Sequence, residues 1–541
     1  MKGKIQVRPV ISCFRRALVL LLMFAVTGAA QESYDVIIRN GRIIDGSGNP
    51  WIYADVGIRA DRIVRIGDLS GVRAPRVIDA KNLVVAPGFI DPHTHALGGI
   101  QAAPTAESAL LQGVTTLTEG NDGSSPFPIA ASLAEIEKLK ISANWALYVG
   151  HGTIRERVMG NVNRAPTADE LEKMKQMVAQ GMEDGALGLS TGLFYVPGNF
   201  AKTDEVIELS KVAAKYKGMY ISHMRNEAEG VTESVAETIR IGREAGLPVQ
   251  MTHHKASGKD AWGQTVQTLK MVDEARAAGV DVTMDQYPYT ASATSLEGGL
   301  VPQWASEGTG DDKLRRLRDP ATRARIKTDI VYNIIHVRGG GDPKNVFISQ
   351  CRFDPSLNGK NLAQITQERG MTPTAENAAE VTMDIVAGGG AAAIFHAISE
   401  DDVERVMKHP WTAIGSDGGV ASLETATGVP HPRQYGTFAR VLGVYVREKH
   451  VITLEEAIRK MTSLTAQRLG IRDRGLLREG FRADVVAFDP DRIKDMSTFE
   501  KPHQYAAGVQ YVLVNGQTVV DGGKHTGARP GMIIRGPGYK K

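Results

Sequence analysis

The sequence predicts an α/β fold, a (β/α)8 barrel carrying a small composite β-sandwich domain assembled from both chain ends. Three observations predict it. The middle of the chain alternates short β-like runs with amphipathic helical stretches, the pattern of βα units around a parallel sheet. The two ends carry β-rich segments broken by turn residues, each too small to close a core alone. Residue types that bind metals recur at the ends of the β-like runs, where a barrel of this class places its chemistry. A chain of 541 residues accommodates such a barrel with an accessory domain.

The N-terminal 30 residues read as a cleavable export signal rather than as fold. Lys2, Lys4, Arg8, Arg15 and Arg16 precede the apolar run 17–26, and Gly28, Ala29 and Ala30 precede Gln31. The apolar run is short for a permanent span, so no stable membrane anchor is expected after cleavage, and the mature protein is expected in the periplasm or outside the cell. Cys13 would leave with the signal, and Cys351 alone cannot form an intrachain disulfide. Hydrophobic content of 42%, charged content of 23% and a net charge of +3 describe an ordinary globular protein, and they argue against nucleic acid as a partner.

Residues 34–87 form the expected first part of the β-domain. YDVIIRNGRIIDGSG places Asn40-Gly41 between two β-rich runs, a hairpin signal, and ADVGIRADRIVRIGDL repeats the pattern at Ala60-Asp61. The barrel is expected over 88–475. Its first strand lies in NLVVAPGFIDPHTHA (82–96), followed by candidates at 114–120, 145–150, 186–192, 219–224, 249–254, 280–287, 391–397 and 412–418. That is one candidate too many for eight slots, so one of the last three is accessory. Between strands, ADELEKMKQMVAQGMED reads as a helix capped by Thr167 and closed at Gly185. The βα rhythm fails over about 296–379, which reads as an insertion placed as a lid over the barrel mouth. The second part of the β-domain is expected over 476–535, with Asn515-Gly516 as a hairpin turn.

The strand ends carry the chemistry. In a strand, residues two apart face the same side, so His93 and His95 project together. Glu119 or Asp122, then His223, His253 and Asp417, end later strands. Histidines and carboxylates converging on one barrel mouth are what a hydrolytic zinc or related divalent site requires. Asp417, the last acid in the series, suits proton transfer to and from the reacting groups. His151, His396 and His431 also fall near strand ends or loops, where they are candidates for substrate contact.

With these residues laid out, the chain resembles the amidohydrolase superfamily, and within it the N-acyl-D-amino-acid deacylases. GFIDPHTH, YISHMRNE, MTHHK, DQYPYTAS, IGSDG, HPRQYGTF and RGLLREGFRADVVAFDP carry the likeness in one order. The resemblance implies a metal-dependent hydrolase that cleaves an N-acyl-D-amino acid, a small-molecule substrate, to a carboxylate and a free D-amino acid, with one or two divalent ions, zinc first. It implies that His223 and His253 hold the firmly bound ion, that His93 and His95 serve another metal position, and that Asp417 is the catalytic base and acid. Lys255 and Tyr287 match positions for the substrate's α-carboxylate, and Arg225, His151 and Arg433 complete the expected substrate-binding set. The chain departs from the pattern at Asp122, where the family has a cysteine ligand. Asp122 is the expected replacement, with Glu119 as the alternative.

Residues 280–310 carry only acidic charges, Asp281, Asp285, Glu297 and Glu307, so a neutral or apolar substrate side chain is expected. Two other readings compete with deacylation. A dipeptidase acting on D-residues would attack the same kind of amide. A cyclic amidase of the hydantoinase or dihydropyrimidinase type commonly needs a carboxylated lysine, and ALGLSTG offers none. A non-catalytic metal-binding relative is the third alternative, supported only by the change at Asp122. The sequence sets no oligomeric state.

Overall fold

The computed structural model describes residues 1–6 and 33–540. The apolar run of the expected export signal lies outside the described residues. Among the described residues, no helix is long and apolar enough to cross a membrane.

Eight parallel strand positions form the barrel. Phe89–Asp91, Val114–Glu119 and Asn144–Leu147 pair in parallel as one set. Val149–Gly150, Gly188–Gly192, Met219–His223, Val249–Met251, Val282–Gln286 and Thr412–Ile414 form the other. Asn144–Leu147 and Val149–Gly150 are separated only by Tyr148 and together make the third position. A parallel bridge between Thr94 and Gly418 closes the ring, beside hydrogen bonds from Asp417 N–H to the His93 carbonyl (2.9 Å) and from His95 N–H to the Gly418 carbonyl (2.8 Å). The closure therefore sets the HxH segment and Asp417 side by side. Strands such as Gly188–Gly192, Met219–His223 and Val282–Gln286 are buried along their whole length, as expected where helices cover one face and barrel packing the other. The helix Ala168–Asp184 follows its sequence signals: Thr167 and Glu170 form a reciprocal capping box, and Gly185 ends it at φ 113°.

Of the nine candidate strands, 391–397 is the accessory one. Ala392–Phe395 pairs antiparallel with Ser292–Ser295 and with Val346–Gln350 in a separate three-stranded sheet. Elements from Ser292 to Phe395 form a module inserted between the last two barrel strands, with an apolar core of its own that includes Leu300, Ile330, Ile348, Met383 and Phe395. Its first and last strands pair with each other, and this extends it beyond both expected limits. An apolar four-residue strand at its exit has the same composition as a buried barrel strand, which explains the surplus candidate.

Strands from both chain ends join in one nine-stranded sheet. Val84–Pro87 pairs antiparallel with Val485–Phe488 and in parallel with Val36–Ile43, so it is the seam between the two ends. Alternate residues along the seam face different cores. Val84, Ala86, Val486 and Phe488 join the main barrel core, whereas Val85, Val485 and Ala487 pack with Val36, Ile38, Val56 and Ile63. Asn515-Gly516 and Ala60-Asp61 are two-residue hairpin turns, with Asn515 at φ 48° and Ala60 at φ 50°. Asn40-Gly41 is not a turn. Val36–Ile43 runs straight through it, and the pairing with Ile52–Arg59 shifts register there. The left-handed Asn40 (φ 60°), whose N–H donates to Asp55 Oδ1 (2.9 Å), is absorbed as a bulge because a partner lies along both halves of the strand.

Candidate metal centre and substrate cavity

At the C-terminal mouth of the barrel, four imidazoles surround the Asp122 carboxylate. Oδ1 lies 3.5 Å from His93 Nε2 and 3.8 Å from His253 Nε2, and Oδ2 lies 3.5 Å from His95 Nε2 and 3.6 Å from His223 Nδ1. Asp417 Oδ1 lies 3.0 Å from His95 Nε2 and 3.4 Å from His93 Nε2. Two overlapping ligand groups result: His93, His95, Asp122 and Asp417, and Asp122, His223 and His253. Asp122 belongs to both.

The backbone holds these groups under strain. Asp122, His253 and Asp417 all adopt positive φ (54°, 36° and 51°), a conformation that non-glycine residues keep only where the surroundings impose it. Beside Asp122 the packing is tight: a Cβ on Gly192 would lie 2.1 Å from the Asp122 carbonyl oxygen, so strand and loop meet backbone to backbone.

The donor set fits a divalent cation. Both ring nitrogens of His93 and of His223, and Asp122 Oδ1, are buried without a hydrogen-bond partner, an arrangement that costs stability unless something else satisfies the lone pairs. Burial pushes His93 down to about 3 and lowers His223, so both rings stay neutral with lone pairs to offer. Burial alone would raise the Asp122 carboxyl, but the ring of imidazoles around it holds it well below the usual carboxylate range. Glu119, the alternative ligand, is committed elsewhere, accepting the Leu97 and Gly120 N–H groups (2.8 and 3.0 Å).

Three acids behind the ring were not singled out from the sequence. Asp91 Oδ1 accepts the His93 and Ser416 N–H groups (3.1 and 3.0 Å), joining the first and last barrel strands. Asp285 Oδ1 accepts the His253 N–H (2.8 Å), and Gln250 donates to Oδ2 (2.6 Å). Glu227 lies 2.9 Å from His253 Nδ1 through Oε1, which also receives Lys255 Nζ (2.7 Å), while Oε2 receives the Arg338 guanidinium (2.6 Å). Nδ1 of His253 is thus turned toward Glu227 and Lys255 Nζ (2.8 Å), which leaves Nε2 facing Asp122 with only a long contact to Thr252 Oγ1 (3.4 Å). Glu227 lies within the YISHMRNE segment four residues after His223. That spacing was the available signal, and its partners come from distant segments.

A cavity of about 390 Å³ opens over this centre. His95, Asp122, His223, His253 and Asp417 line it, as do Lys255 and Tyr287. Tyr287 Oη is buried without a partner, and burial raises its pKa well above the usual value, so it remains a hydrogen-bond donor. The insertion contributes Ser292, Ala293, Thr294 and Arg338 to the wall.

Three expected substrate contacts do not reach the cavity. His151 is fully buried, with Nε2 2.9 Å from Glu205 Oε1, and its helix neighbours Gly152, Thr153 and Glu156 line the space instead. Arg225 donates to Glu237 and to the carbonyls of Asn199 and Ala201, so its guanidinium is spent on tying loops together. Arg433 pairs with Asp417 Oδ2 at 2.7 Å, with its guanidinium 4.8 Å from the Tyr287 ring centre. Its guanidinium is turned to Asp417 rather than into the space. His396 packs against Phe347 and Phe499, and His431 lies 2.9 Å from the Ala291 carbonyl.

The Amidohydrolase family model matches residues 76–520. This chain belongs to the amidohydrolase family. Within it, this amidohydrolase is 35% identical to D-aminoacylase of Alcaligenes xylosoxydans xylosoxydans, over 93% of this chain and 98% of the relative. It is 37% identical to N-acyl-D-glutamate deacylase of the same organism, over 93% and 97%. The crystal structure of N-acyl-D-glutamate deacylase from Bordetella bronchiseptica, complexed with zinc and a phosphonate inhibitor, superimposes with a TM-score of 0.78 at 35% identity, covering 93% of this chain and 100% of that one. These relatives place the chain in the N-acyl-D-amino-acid deacylase branch, among metal-dependent hydrolases of amide bonds.

Proposed function

We propose that this amidohydrolase cleaves the amide of N-acyl-D-amino acids, with Asp122, His223 and His253 holding a firmly bound divalent ion, zinc first, and His93, His95 and Asp417 offering a second position. The observation that carries the reading is the Asp122 carboxylate enclosed by four imidazoles, beside Asp417 and beside Lys255 and Tyr287. A divalent ion at such a centre supplies Lewis-acid polarisation of a carbonyl and acidification of water near neutral pH. Asp417 takes the water's proton and returns it to the departing amine nitrogen, the same group serving as base and then acid. Lys255 and Tyr287 offer an ammonium and a hydroxyl to the α-carboxylate. Arg433 fixes the Asp417 carboxylate by occupying Oδ2, which leaves Oδ1 toward His93 and His95.

The side-chain preference proposed is for neutral or apolar groups. Of the cations near the cavity, Arg338 and Lys255 are both paired with Glu227 and Arg433 with Asp417, and Lys255 also serves the α-carboxylate in this reading. An acidic side chain therefore meets no unmatched cation among the described residues. The β-domain is read as a composite sandwich, supported by the inner apolar cluster that both chain ends share. Export through the N-terminal 30 residues is likewise proposed from their composition.

A panel separates the bond types: N-acetyl-D-amino acids, D-residue dipeptides and dihydrouracil, each with metal-depleted and zinc-reconstituted enzyme. Deacylation predicts zinc-dependent release of D-amino acid from the first group. Hydrolysis confined to dihydrouracil or to dipeptides overturns the reading.

A further inference from the structure

Behind the catalytic cavity lies a second one of about 230 Å³, between the loop that follows strand Met219–His223 and the insertion. Its lining includes Phe194, Asn226, Glu227, Ser257 and Asn333. Ser257 Oγ is buried there without a hydrogen-bond partner. Among the described residues, Arg338 is the one that lines both cavities. Its side chain is the partition: Nη2 donates to Glu227 Oε2 (2.6 Å), Nη1 donates to Ser292 Oγ (3.2 Å), and the guanidinium carbon lies 4.5 Å from the Phe194 ring centre.

The backbone that presents Arg338 is wedged in place. Arg338 precedes three glycines; a Cβ on Gly339 would lie 2.3 Å from the Ile334 carbonyl oxygen, and one on Gly340 2.3 Å from that of His396. This loop is pressed between the end of the helix Pro320–His336 and the exit of the insertion. The partition is therefore fixed by the insertion's own fold rather than by a free surface side chain.

The geometry points to Arg338 as the residue that sets how long a D-side chain this enzyme accepts, closing the catalytic cavity against a latent extension behind it. The inference rests on the deacylase reading above. It concerns the side chain rather than the acyl group because Arg338 and Lys255 share Glu227, one on each carboxylate oxygen. The partition thus adjoins the carboxylate end of the substrate. The D-side chain branches from the carbon that bears that carboxylate, whereas the acyl group lies across the amide bond. Arg338 offers no free charge to recognise a side chain, so it acts as a wall, and a wall discriminates by volume.

Two variants of the metal-loaded enzyme test this. Arg338→Ala and Arg338→Met both remove the Glu227 pair, but only the first opens the partition. Binding of the products D-Trp and D-Ala is measured by calorimetry, and kcat/KM is measured for their N-acetyl forms and for N-octanoyl-D-Ala. Arg338→Ala is expected to raise the D-Trp to D-Ala ratio about tenfold in both measurements, within the range that packing discrimination covers. Arg338→Met is expected to stay within about twofold of wild type, the scale of a volume-conserving change. Equal shifts in both variants, no shift in either, or a gain confined to the octanoyl substrate overturns the inference while leaving deacylation standing. A wild-type enzyme that neither binds D-amino acids nor turns over their N-acetyl forms overturns the deacylase reading and the inference with it.

Discussion

Arg433 meets Asp417 Oδ2 at 2.7 Å, while the other oxygen of that carboxylate lies 3.0 Å from His95 Nε2. The pair is buried, and the guanidinium outweighs the effect of burial to hold Asp417 well below the usual carboxylate range. Arg433→Met should therefore lower kcat by about 10²-fold, the scale of a misplaced catalytic group, with KM little changed. Steady-state kinetics decide between this and a direct substrate contact, for which KM would rise at constant kcat.

Asp417→Asn keeps the shape of the side chain and removes its capacity to take a proton. Turnover should fall by about 10² to 10⁴-fold while the protein retains at least one equivalent of metal, because Asp122, His223 and His253 are untouched. Metal content and rate are measured on the same preparation, and unchanged hydrolysis would reject Asp417 as the base.

Asp122 stands at the centre of both ligand groups. Asp122→Ala should strip the protein of firmly bound metal and of activity. Asp122→Cys should restore binding with a shift toward zinc over manganese, since thiolate is a softer donor than carboxylate. Elemental analysis after equilibration with both ions reads the outcome; full metal content in the alanine variant would place the firm site elsewhere.

Away from the centre, Glu208 receives Lys175 and Lys211, each at 2.8 Å, and hydrogen bonds from these two lysines lower its carboxyl to about 2 from 4.5. Its folded-state pKa is depressed, so its contribution is complete above pH 4.5 and is lost as pH falls through 2. The pairs are partly exposed, which limits the effect to under about 1 kcal/mol at neutral pH. Melting curves of Glu208→Gln and wild type should differ slightly at pH 7 and converge by about pH 2, the folded-state value. A gap that widens on acidification would contradict the assignment.

The parts of the site legible in the sequence are those that local spacing encodes. His93 and His95 announce themselves because residues two apart in an extended segment share a side, whereas Lys255 stood out through its motif, and His253 leaves its strand at φ 36°. Asp122 and Asp417 were legible as polar groups ending β-like runs, though their left-handed backbone was not. Glu227, Asp285 and Arg338 were silent for a physical reason: each acquires its role from partners on other strands or on the insertion, such as Arg338 reaching Glu227 across the fold. Long-range context also overrode local grammar at Asn40-Gly41, where continuous partners turned a hairpin signal into a bulge. The strand Ala392–Phe395 has a barrel strand's composition and a different sheet's pairing, which no local pattern distinguishes.

The central claim is that this metal centre serves stereospecific deacylation. The most direct measurement titrates zinc into metal-depleted enzyme and follows hydrolysis of N-acetyl-D-Leu beside N-acetyl-L-Leu. The account predicts that D-Leu release rises with zinc and saturates near one equivalent, with the L-enantiomer slower by at least about 10²-fold, as expected where binding groups must meet one hand of the substrate. Equal rates for the two enantiomers, or hydrolysis that persists without metal, would contradict it.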